Sequence, residues 1–252
     1  MRRLQRTVNP PLPTGSGVHD GLAYSLWLPA RDEEPAGGVV VLHGAGSCKE
    51  SHHDYARALI ATGLAVLIFD QRGHGESRGP MDGRVLFDVA AMASLLRAEC
   101  GSSELPIALR GSSMGGCLAI LAAELAGAGA VVAICPASPE GLRRGLESGR
   151  LQFDASVDTL DALLAGSDLF RAVETLGVPL LLLHAAGDEQ VSVEHSRELA
   201  QHFRAPGSRL IVVPGGDHRS VQHDAELQAE SVKFILGALT DMPAVDETMP
   251  EV

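Results

Sequence analysis

The strongest chemical signal in the sequence is a serine with a glycine two positions away on each side, Gly111-x-Ser113-x-Gly115. An aliphatic run ends just before this motif, and an apolar stretch typical of a helix begins directly after the serine. The glycines let two backbones approach closely in a sharp turn, and the serine hydroxyl then faces a helix N-terminus, which favours negative charge. The motif therefore predicts that Ser113 is a nucleophile.

The same spacing occurs a second time, at Gly75-x-Ser77-x-Gly79. Ser77 lies well beyond the nearest strand-like run, which ends at Phe69, and the residues from Pro80 onward are poor helix starters. A turn that does not connect a strand directly to a helix lacks the geometry that exposes a nucleophile. We therefore expect Ser77 to be a structural turn residue.

A serine hydroxyl needs a base, and the base needs an acid that orients its ring. His218 follows the last strand-like run in a glycine-rich loop, so it is the predicted base. Asp188 follows the preceding run and is the predicted acid, with Glu189 as the alternative. Asp217 is adjacent to His218 in sequence and is poorly placed to orient that ring.

Attack on a carbonyl also requires N–H donors for the negative charge that develops on its oxygen. The backbone N–H of Met114, directly after the serine, is one predicted donor. The second is expected in the His-Gly-Ala-Gly loop at residues 43–46, where the N–H of Ala45 is the favoured candidate.

Short aliphatic runs alternate with longer amphipathic stretches along the chain. The runs do not alternate between apolar and polar residues, which favours strands that are buried on both faces of a parallel sheet. They are Gly38–Leu42, Leu64–Phe69, Pro106–Leu109, Ala130–Cys135, Pro179–His184 and Arg209–Val213. Residues 51–62, 84–100, 114–126, 193–203 and 224–239 are predicted helices, and 21–28 an early antiparallel strand. This pattern predicts an α/β fold with a mostly parallel central sheet and helices on both faces.

The spacing of these elements also predicts how the chain is divided. Residues 18–135 and 179–240 are expected to form one core. Residues 136–178 are far longer than a plain crossover requires, so they predict a small inserted cap of one or two helices. Residues 241–252 are acidic and without pattern, which predicts a flexible tail.

Charge and cysteine content exclude several classes of protein. The chain has 20 basic and 32 acidic residues, a net charge of −12, and no basic run, which disfavours nucleic acid and anionic lipid surfaces as partners. The four cysteines form no Cys-x-x-Cys pair, so we expect reduced thiols in a cytoplasmic protein.

Two segments could be mistaken for membrane or targeting signals. The basic N-terminal residues are followed by prolines instead of an apolar stretch, so no signal peptide is expected. Residues 117–135 are almost continuously apolar, but Glu124 lies in their middle, and Gly127 and Gly129 interrupt them. A buried helix, a turn and a buried strand explain this segment better than a membrane span.

The other polar clusters favour structural interpretations. His52, His53 and Asp54 are not expected to bind a metal, because adjacent helical residues point apart. Cys48 is expected to be a packed thiol. Bracing or surface roles are expected for Arg72, His74, Arg143, Arg144, Arg150, His195 and His202.

Four of these motifs occur in an order that resembles the α/β-hydrolase superfamily. They are residues 43–46, residues 70–77, residues 111–116, and Asp188 followed by His218. From about residue 20 to residue 240 the chain is most similar to the esterase, monoacylglycerol-lipase and serine-aminopeptidase-like branch. The resemblance implies that Ser113, Asp188 and His218 form a catalytic triad and that Ala45 and Met114 form the oxyanion hole.

These expectations point to a serine hydrolase that needs no cofactor or metal. The substrate is expected to be a neutral ester or thioester with a short to medium acyl group of about two to eight carbons, since the cap is small and mainly apolar. An amide or peptide hydrolase, or a lysophospholipase or monoacylglycerol lipase, could use the same triad. A non-catalytic binding protein is the least favoured alternative.

Overall fold

The computed structural model of the chain describes residues 10–30 and 34–240. Its strands are β1 (Gly15–His19), β2 (Leu22–Trp27), β3 (Gly38–Leu42), β4 (Ala65–Phe69), β5 (Ile107–Ser112), β6 (Ala128–Ile134), β7 (Leu180–Ala185) and β8 (Arg209–Val213). These eight strands form one sheet in the order β1-β2-β4-β3-β5-β6-β7-β8. β2 pairs antiparallel with β1 and with β4, and all other neighbouring strands are parallel.

Helices connect the strands and cover both faces of the sheet. A 3₁₀-helix at Lys49–His52 precedes α1 (His53–Ile60), and the other helices are α2 (Val85–Glu99), α3 (Met114–Leu121), α4 (Pro139–Glu147), α5 (Val157–Ala165), α6 (Leu169–Thr175), α7 (Val193–Ala200), α8 (Ser220–His223) and α9 (Ala225–Thr240). Every residue of β3, β4, β5, β6 and β7 is buried, as expected for strands covered on both faces. The predicted α/β fold is confirmed.

The first strand was not predicted. β1 carries two glycines and alternates between half-buried and exposed residues, so it lacks the aliphatic run that marks the other strands. Asp20 and Gly21 both have positive φ angles, and they form the two-residue turn that joins β1 to β2. An Asp-Gly pair between two strands is a recognised hairpin signal, and it is the feature that could have revealed β1.

The apolar segment 117–135 folds as a buried helix, a turn and a buried strand, as predicted. α3 ends at Leu121, earlier than the expected residue 126. Among the helices that the structure describes, none is long and apolar enough to cross a membrane. The predicted acidic tail at 241–252 lies outside the described residues.

The segment between β6 and β7 contains three helices, α4, α5 and α6, and not the expected one or two. α4 and α5 pack against each other, and α6 packs against α3. The chain between α4 and α5 is tied to the loop after β4, because Met81 N–H donates to Asp154 O at 2.9 Å and Ser156 N–H donates to Met81 O at 2.8 Å. These contacts hold α4 and α5 beside the carboxyl ends of the parallel strands.

Candidate active site

Ser113 lies at the turn between β5 and α3. Its backbone has φ 54° and ψ −117°, a strained region for a residue other than glycine. If Gly111 carried a Cβ, that atom would lie 2.0 Å from the backbone oxygen of Gly115. A Cβ on Gly115 would lie 2.4 Å from the backbone oxygen of Leu42. Both positions therefore require glycine, and the second contact brings the start of α3 against the end of β3.

Asp188 and His218 meet across the ends of β7 and β8. His218 Nδ1 lies 2.6 Å from Asp188 Oδ2, and the other carboxylate oxygen accepts hydrogen bonds from Gln190 N–H at 2.8 Å and Val191 N–H at 2.9 Å. Burial alone would raise the pKa of Asp188, but these three hydrogen bonds outweigh it and hold the pKa below its ordinary value. A charged Asp188 fixes the proton of His218 on Nδ1 and leaves Nε2 free to act as a base.

Ser113 and His218 line the same open cavity, of about 470 Å³. Among the described residues, no hydrogen bond is formed by the Ser113 hydroxyl. Such a bond is often long without substrate and tightens only in the reacting complex.

Asp217 and Glu189, the two other acids considered as partners of His218, do not contact its ring. Asp217 Oδ1 accepts from the N–H groups of Arg219 at 2.8 Å and Ser220 at 2.9 Å, so it caps the start of α8 and does not contact the His218 ring. Glu189 is exposed at the wall of the open cavity. Of these three acids, Asp188 is the one that the structure brings into hydrogen-bond contact with His218.

His43 orients the loop at residues 43–46. Its Nε2 accepts from Gln71 N–H at 3.0 Å, so the ring proton is on Nδ1, which donates to Gly44 O at 2.8 Å. In a trans peptide the N–H of Ala45 points away from the carbonyl of Gly44, and hence away from His43. Burial lowers the pKa of His43 to about 4, so this neutral arrangement persists at neutral pH.

The two predicted N–H donors are both available. Within the described residues, no hydrogen bond uses the backbone N–H of Ala45 or of Met114. A Cβ added to Gly44 would lie 3.4 Å from Ser113 Cβ, which shows how closely the loop approaches the serine. An oxyanion hole requires two unpaired N–H groups directed at the developing negative charge, and this role for Ala45 and Met114 stays a prediction.

A buried ion pair between Lys49 and Asp70, which the exposed carboxylate of Glu76 extends, lies close to the loop at residues 43–46 in sequence, and the sequence analysis missed it. Lys49 Nζ lies 2.9 Å from Asp70 Oδ2 and 2.6 Å from Glu76 Oε2, while Lys49 N–H donates to Asp70 Oδ1 at 2.7 Å. Burial alone would lower the pKa of Lys49, but the carboxylates of Glu76, Asp70 and Glu50 raise it. The cluster ties the loop after β3 to the loop after β4.

Ser77 has the structural role that was predicted for it. Its hydroxyl donates to Asp70 O and accepts from Ala23 N–H at 2.9 Å. Arg72 also braces this loop, because its guanidinium donates to both oxygens of Asp88, at 2.8 and 2.9 Å.

Arg110 is a second buried cation that the sequence analysis missed. Its guanidinium lies 3.8 Å from the centre of the Tyr55 ring and donates to His52 Nδ1 at 3.3 Å and to Gln222 O at 3.1 Å. No carboxylate pairs with it among the described residues. Arg110 thereby connects β5, which leads to Ser113, with α8, which follows His218.

The surface of α4 and the segment after it supply polar side chains to the open cavity. Arg144 pairs with Glu140, and Arg150 donates to Ser148 Oγ at 3.1 Å. Arg143 is turned away to Asp161, at 2.7 Å, in an ion pair between α4 and α5.

His195 and His202 were expected at the surface, but both are half-buried. Their ring centres lie 5.7 and 5.3 Å from that of Phe170. His195 also lines the open cavity. The cap covers this side of α7, and that contact could not be foreseen from the spacing of the two histidines.

One set of three potential metal ligands lies close together among the described residues: Cys135, Asp188 and His218. Asp188 and His218 are already engaged with each other, and burial raises the pKa of the Cys135 thiol, which disfavours the thiolate that a metal needs. The adjacent His52 and His53 point apart, towards Arg110 and Ser25 respectively.

Known proteins share this fold and part of this sequence. The family model described as serine aminopeptidase, S33, matches residues 33–144. A monoacylglycerol lipase of Mycolicibacterium smegmatis is 28% identical over 244 residues, which cover 78% of this chain and 85% of the lipase.

Two solved structures show the same architecture. The monoacylglycerol lipase of Paleococcus ferrophilus has a TM-score of 0.67 and 20% identity, over 86% of this chain and 99% of that one. Est1E of Butyrivibrio proteoclasticus with bound ferulic acid has a TM-score of 0.67 and 24% identity, over 88% of this chain and 97% of that one. The chain has the fold of these α/β hydrolases, and the family model and these relatives support a serine hydrolase.

Proposed function

We propose that the enzyme hydrolyses carboxylic esters or thioesters with short to medium acyl groups, and that Ser113, Asp188 and His218 are its catalytic triad. The observation that carries this proposal is the 2.6 Å contact between Asp188 and His218, on the wall of the cavity into which Ser113 opens. A histidine held by a charged acid beside a strained serine is the arrangement that activates a hydroxyl for attack.

In the proposed mechanism, His218 Nε2 takes the proton of Ser113 as its hydroxyl oxygen attacks the substrate carbonyl. The N–H groups of Ala45 and Met114 stabilise the oxyanion, and each such donor contributes about 3 kcal/mol. His218 then protonates the leaving alcohol or thiol, and an acyl-enzyme remains. Water activated by His218 attacks the acyl-enzyme, releases the acid and regenerates Ser113.

The cavity supports a substrate of modest size. Its volume of about 470 Å³ is in the lower half of the usual range for small-molecule sites, about 300–1,000 Å³. Among the cap residues that line it, Leu142 and Leu151 favour aliphatic groups, and Arg144 and Arg150 add polar surface. The named relatives, a monoacylglycerol lipase and an esterase seen with ferulic acid, support an ester as the substrate class.

The family description favours a second candidate, an aminopeptidase-like amide hydrolase. An aminopeptidase needs carboxylates to hold the free amino group of its substrate. Of the described residues that line the cavities on either side of Ser113, Glu189 is the one acid. A single exposed carboxylate gives weak support for binding a cationic peptide terminus, so a neutral ester is the favoured substrate.

We also place the enzyme in the cytoplasm. All four cysteines are free thiols, and two of them, Cys117 and Cys135, are fully buried. A secreted protein with an even number of cysteines more often pairs them.

The function is tested with a fluorophosphonate probe and a substrate panel. We expect the probe to label Ser113 and kcat/KM to peak within the p-nitrophenyl esters between acetate and octanoate. Matched thioesters and aminoacyl amides complete the panel. A maximum at palmitate would favour a lipase, and activity confined to the amides would replace the esterase with a peptidase.

A further inference from the structure

A second histidine lies against the proposed catalytic acid. His184 is near the end of β7 and is fully buried, and its Nε2 lies 3.4 Å from Asp188 Oδ2 and 3.0 Å from Val191 O. Its other ring nitrogen, Nδ1, lies 2.7 Å from Ser196 Oγ on α7. The proposed mechanism does not use this ring, and His184 is not among the described residues that line the two cavities open to Ser113.

The surroundings of the ring determine where its proton lies. Asp188 is charged and Val191 O is a carbonyl oxygen, so both can only accept a hydrogen bond. In the neutral imidazole the proton is therefore on Nε2, and Nδ1 accepts the hydrogen bond that the Ser196 hydroxyl donates. Burial lowers the pKa of His184, although Val191 O and the Asp188 carboxylate act against it, so the ring is neutral at neutral pH.

A neutral ring suits this position better than a charged one. The same oxygen of Asp188 lies 2.6 Å from His218 Nδ1, and His218 becomes an imidazolium when it takes the serine proton. A second cation 3.4 Å from this oxygen would compete for its negative charge. The neutral N–H of His184 can orient the carboxylate and leave its charge to His218.

We propose that His184 and Ser196 are positioning residues, which keep Asp188 in its orientation towards His218. The proposal rests on the proposed function, since the group that they support is the acid of the proposed triad. His184 acts directly, because its Nε2–H faces Asp188 Oδ2. It also acts through Val191, because it holds the carbonyl of the residue whose N–H donates to Asp188 Oδ1 at 2.9 Å. Ser196 fixes the ring and its tautomer.

The pairing of both ring nitrogens is not shared by all buried histidines of the described chain. His52 and His74 are also buried, but the Nε2 of each has no hydrogen-bond partner among the described residues. His43 and His184 have partners at both nitrogens, and both lie at the carboxyl ends of parallel strands beside the proposed site. A ring that is held at both nitrogens has one orientation, which is what the support of a reacting group requires.

Two substitutions of His184 test this role with p-nitrophenyl butyrate as substrate. His184→Asn removes the donor at Nε2, so kcat should fall about 10- to 100-fold as Asp188 loses its position. KM should stay within about twofold of wild type, because His184 does not contact the substrate cavity. His184→Gln keeps an N–H donor near the place of Nε2, so its kcat should stay within about fivefold of wild type.

Ser196→Ala and Ser231→Ala form a matched pair. Both hydroxyls are fully buried, and each bonds an aromatic side chain, at 2.7 Å to His184 Nδ1 and at 2.6 Å to the Tyr55 hydroxyl. Both substitutions should therefore lower the thermal unfolding midpoint. Ser196→Ala should also lower kcat about three- to tenfold, whereas Ser231→Ala should leave it within about twofold of wild type.

A spectroscopic signature tests the position of Asp188 without any substrate. The proton between His218 Nδ1 and Asp188 should give a resonance far downfield in the proton NMR spectrum, identified by its loss in Asp188→Asn. His184→Asn should move this resonance upfield or broaden it, because the carboxylate is no longer held at the ring, and Ser231→Ala should leave it unchanged. A histidine with a purely structural role would change stability without moving this resonance.

These measurements separate the inference from the proposed function. If the protein hydrolyses no ester, the proposed function fails, and the resonance in His184→Asn still supports or contradicts the inference. If Asp188→Asn loses activity while a folded His184→Asn keeps kcat within about twofold of wild type, the inference is wrong and the triad stands. If His184→Asn does not fold, the comparison of Ser196→Ala with Ser231→Ala decides, and equal values of kcat in these two variants contradict the inference.

Discussion

The loops at the carboxyl ends of the strands and the cap at residues 136–178 are held together in different ways. The loops are fixed by close backbone contacts and buried polar groups: Gly115 touches Leu42 O, and Lys49 is buried against Asp70. The cap is held mainly by leucine side chains and by ion pairs that water reaches, such as Arg143 with Asp161. The proposed chemistry is thus carried by a rigid region and the choice of substrate by a deformable one.

Close backbone contacts leave few alternative arrangements, because a shift of one atom creates a clash or an unpaired polar group. Leucine contacts can rearrange at small cost when total volume is kept. Substitutions in the loops should therefore affect catalysis or folding strongly, and substitutions in the cap should change preference while leaving the fold intact.

The largest expected effect is that of Ser113→Ala. Removing the nucleophile should lower kcat by at least ~10³-fold and by up to about 10⁶-fold, because the covalent route is lost, while the thermal unfolding midpoint should stay near that of wild type. Steady-state kinetics and thermal unfolding measure the two quantities.

Ser77→Ala is the matched control, since it has the same Gly-x-Ser-x-Gly spacing. It should cost roughly 1–3 kcal/mol of stability, through the lost hydroxyl hydrogen bonds, and keep kcat close to wild type. An inactive Ser77→Ala beside an active Ser113→Ala would reverse the assignment.

The second-largest effect is expected for Asp188→Asn. Its kcat should fall by about 10²- to 10⁴-fold, because an amide stabilises the wrong tautomer of His218. Asp217→Asn should be much milder, since Asp217 caps α8 and does not contact the ring. Comparable losses in the two variants would show that Asp188 is not the orienting acid.

Lys49→Met and Arg143→Met compare a buried cation with a half-buried one that solvent reaches. In Lys49→Met the buried carboxylate of Asp70 loses its partner, so the free energy of unfolding should fall by about 3–5 kcal/mol. Arg143→Met should lower the free energy of unfolding far less than Lys49→Met does, because solvent reaches and screens its pair with Asp161. Equal losses would mean that the cap is as rigid as the loops.

Acid should weaken the loop at residues 43–46 through His43. Its pKa is about 4 in the folded protein, below the ordinary value of 6.5, so the unfolded chain binds the proton first. Stability from this group is complete above about pH 6.5 and falls by up to about 3 kcal/mol as the pH drops towards 4. Urea unfolding across this range should give a smaller pH dependence for His43→Asn than for wild type. An unchanged dependence would contradict this role for His43.

The fold and the enzyme class could be predicted because the signals were local. Aliphatic runs gave the bounds of β3 and β8 to the residue, and the order of the motifs gave the superfamily. The roles of Ser113, Asp188 and His218 stay predictions that the substitutions above test.

What the sequence could not reveal depends on partners that are distant in the chain. Lys49 pairs with Asp70 and Glu76, and Arg110 meets Gln222, across separations that no spacing rule connects. β1 was missed because its glycines carry no apolar pattern, and its only signal is the Asp-Gly turn. The number of helices in the cap was wrong because short amphipathic helices separated by polar turns resemble irregular chain.

The buried guanidinium of Arg110 joins two segments that are distant in the chain, β5 and α8. Its lost hydration is partly compensated by the Tyr55 ring, His52 and the carbonyl of Gln222, while its Nε has no hydrogen-bond partner among the described residues. If α8 separates from the core, the guanidinium of Arg110 loses its hydrogen bond to the carbonyl of Gln222, so opening of this segment costs a hydrogen bond made by a charged group. Amide hydrogens at residues 217–223 should therefore exchange by a cooperative, partly global opening, and not by the local fraying usual for a surface loop. His218 thus precedes a segment whose opening breaks a hydrogen bond to the strand that leads to Ser113.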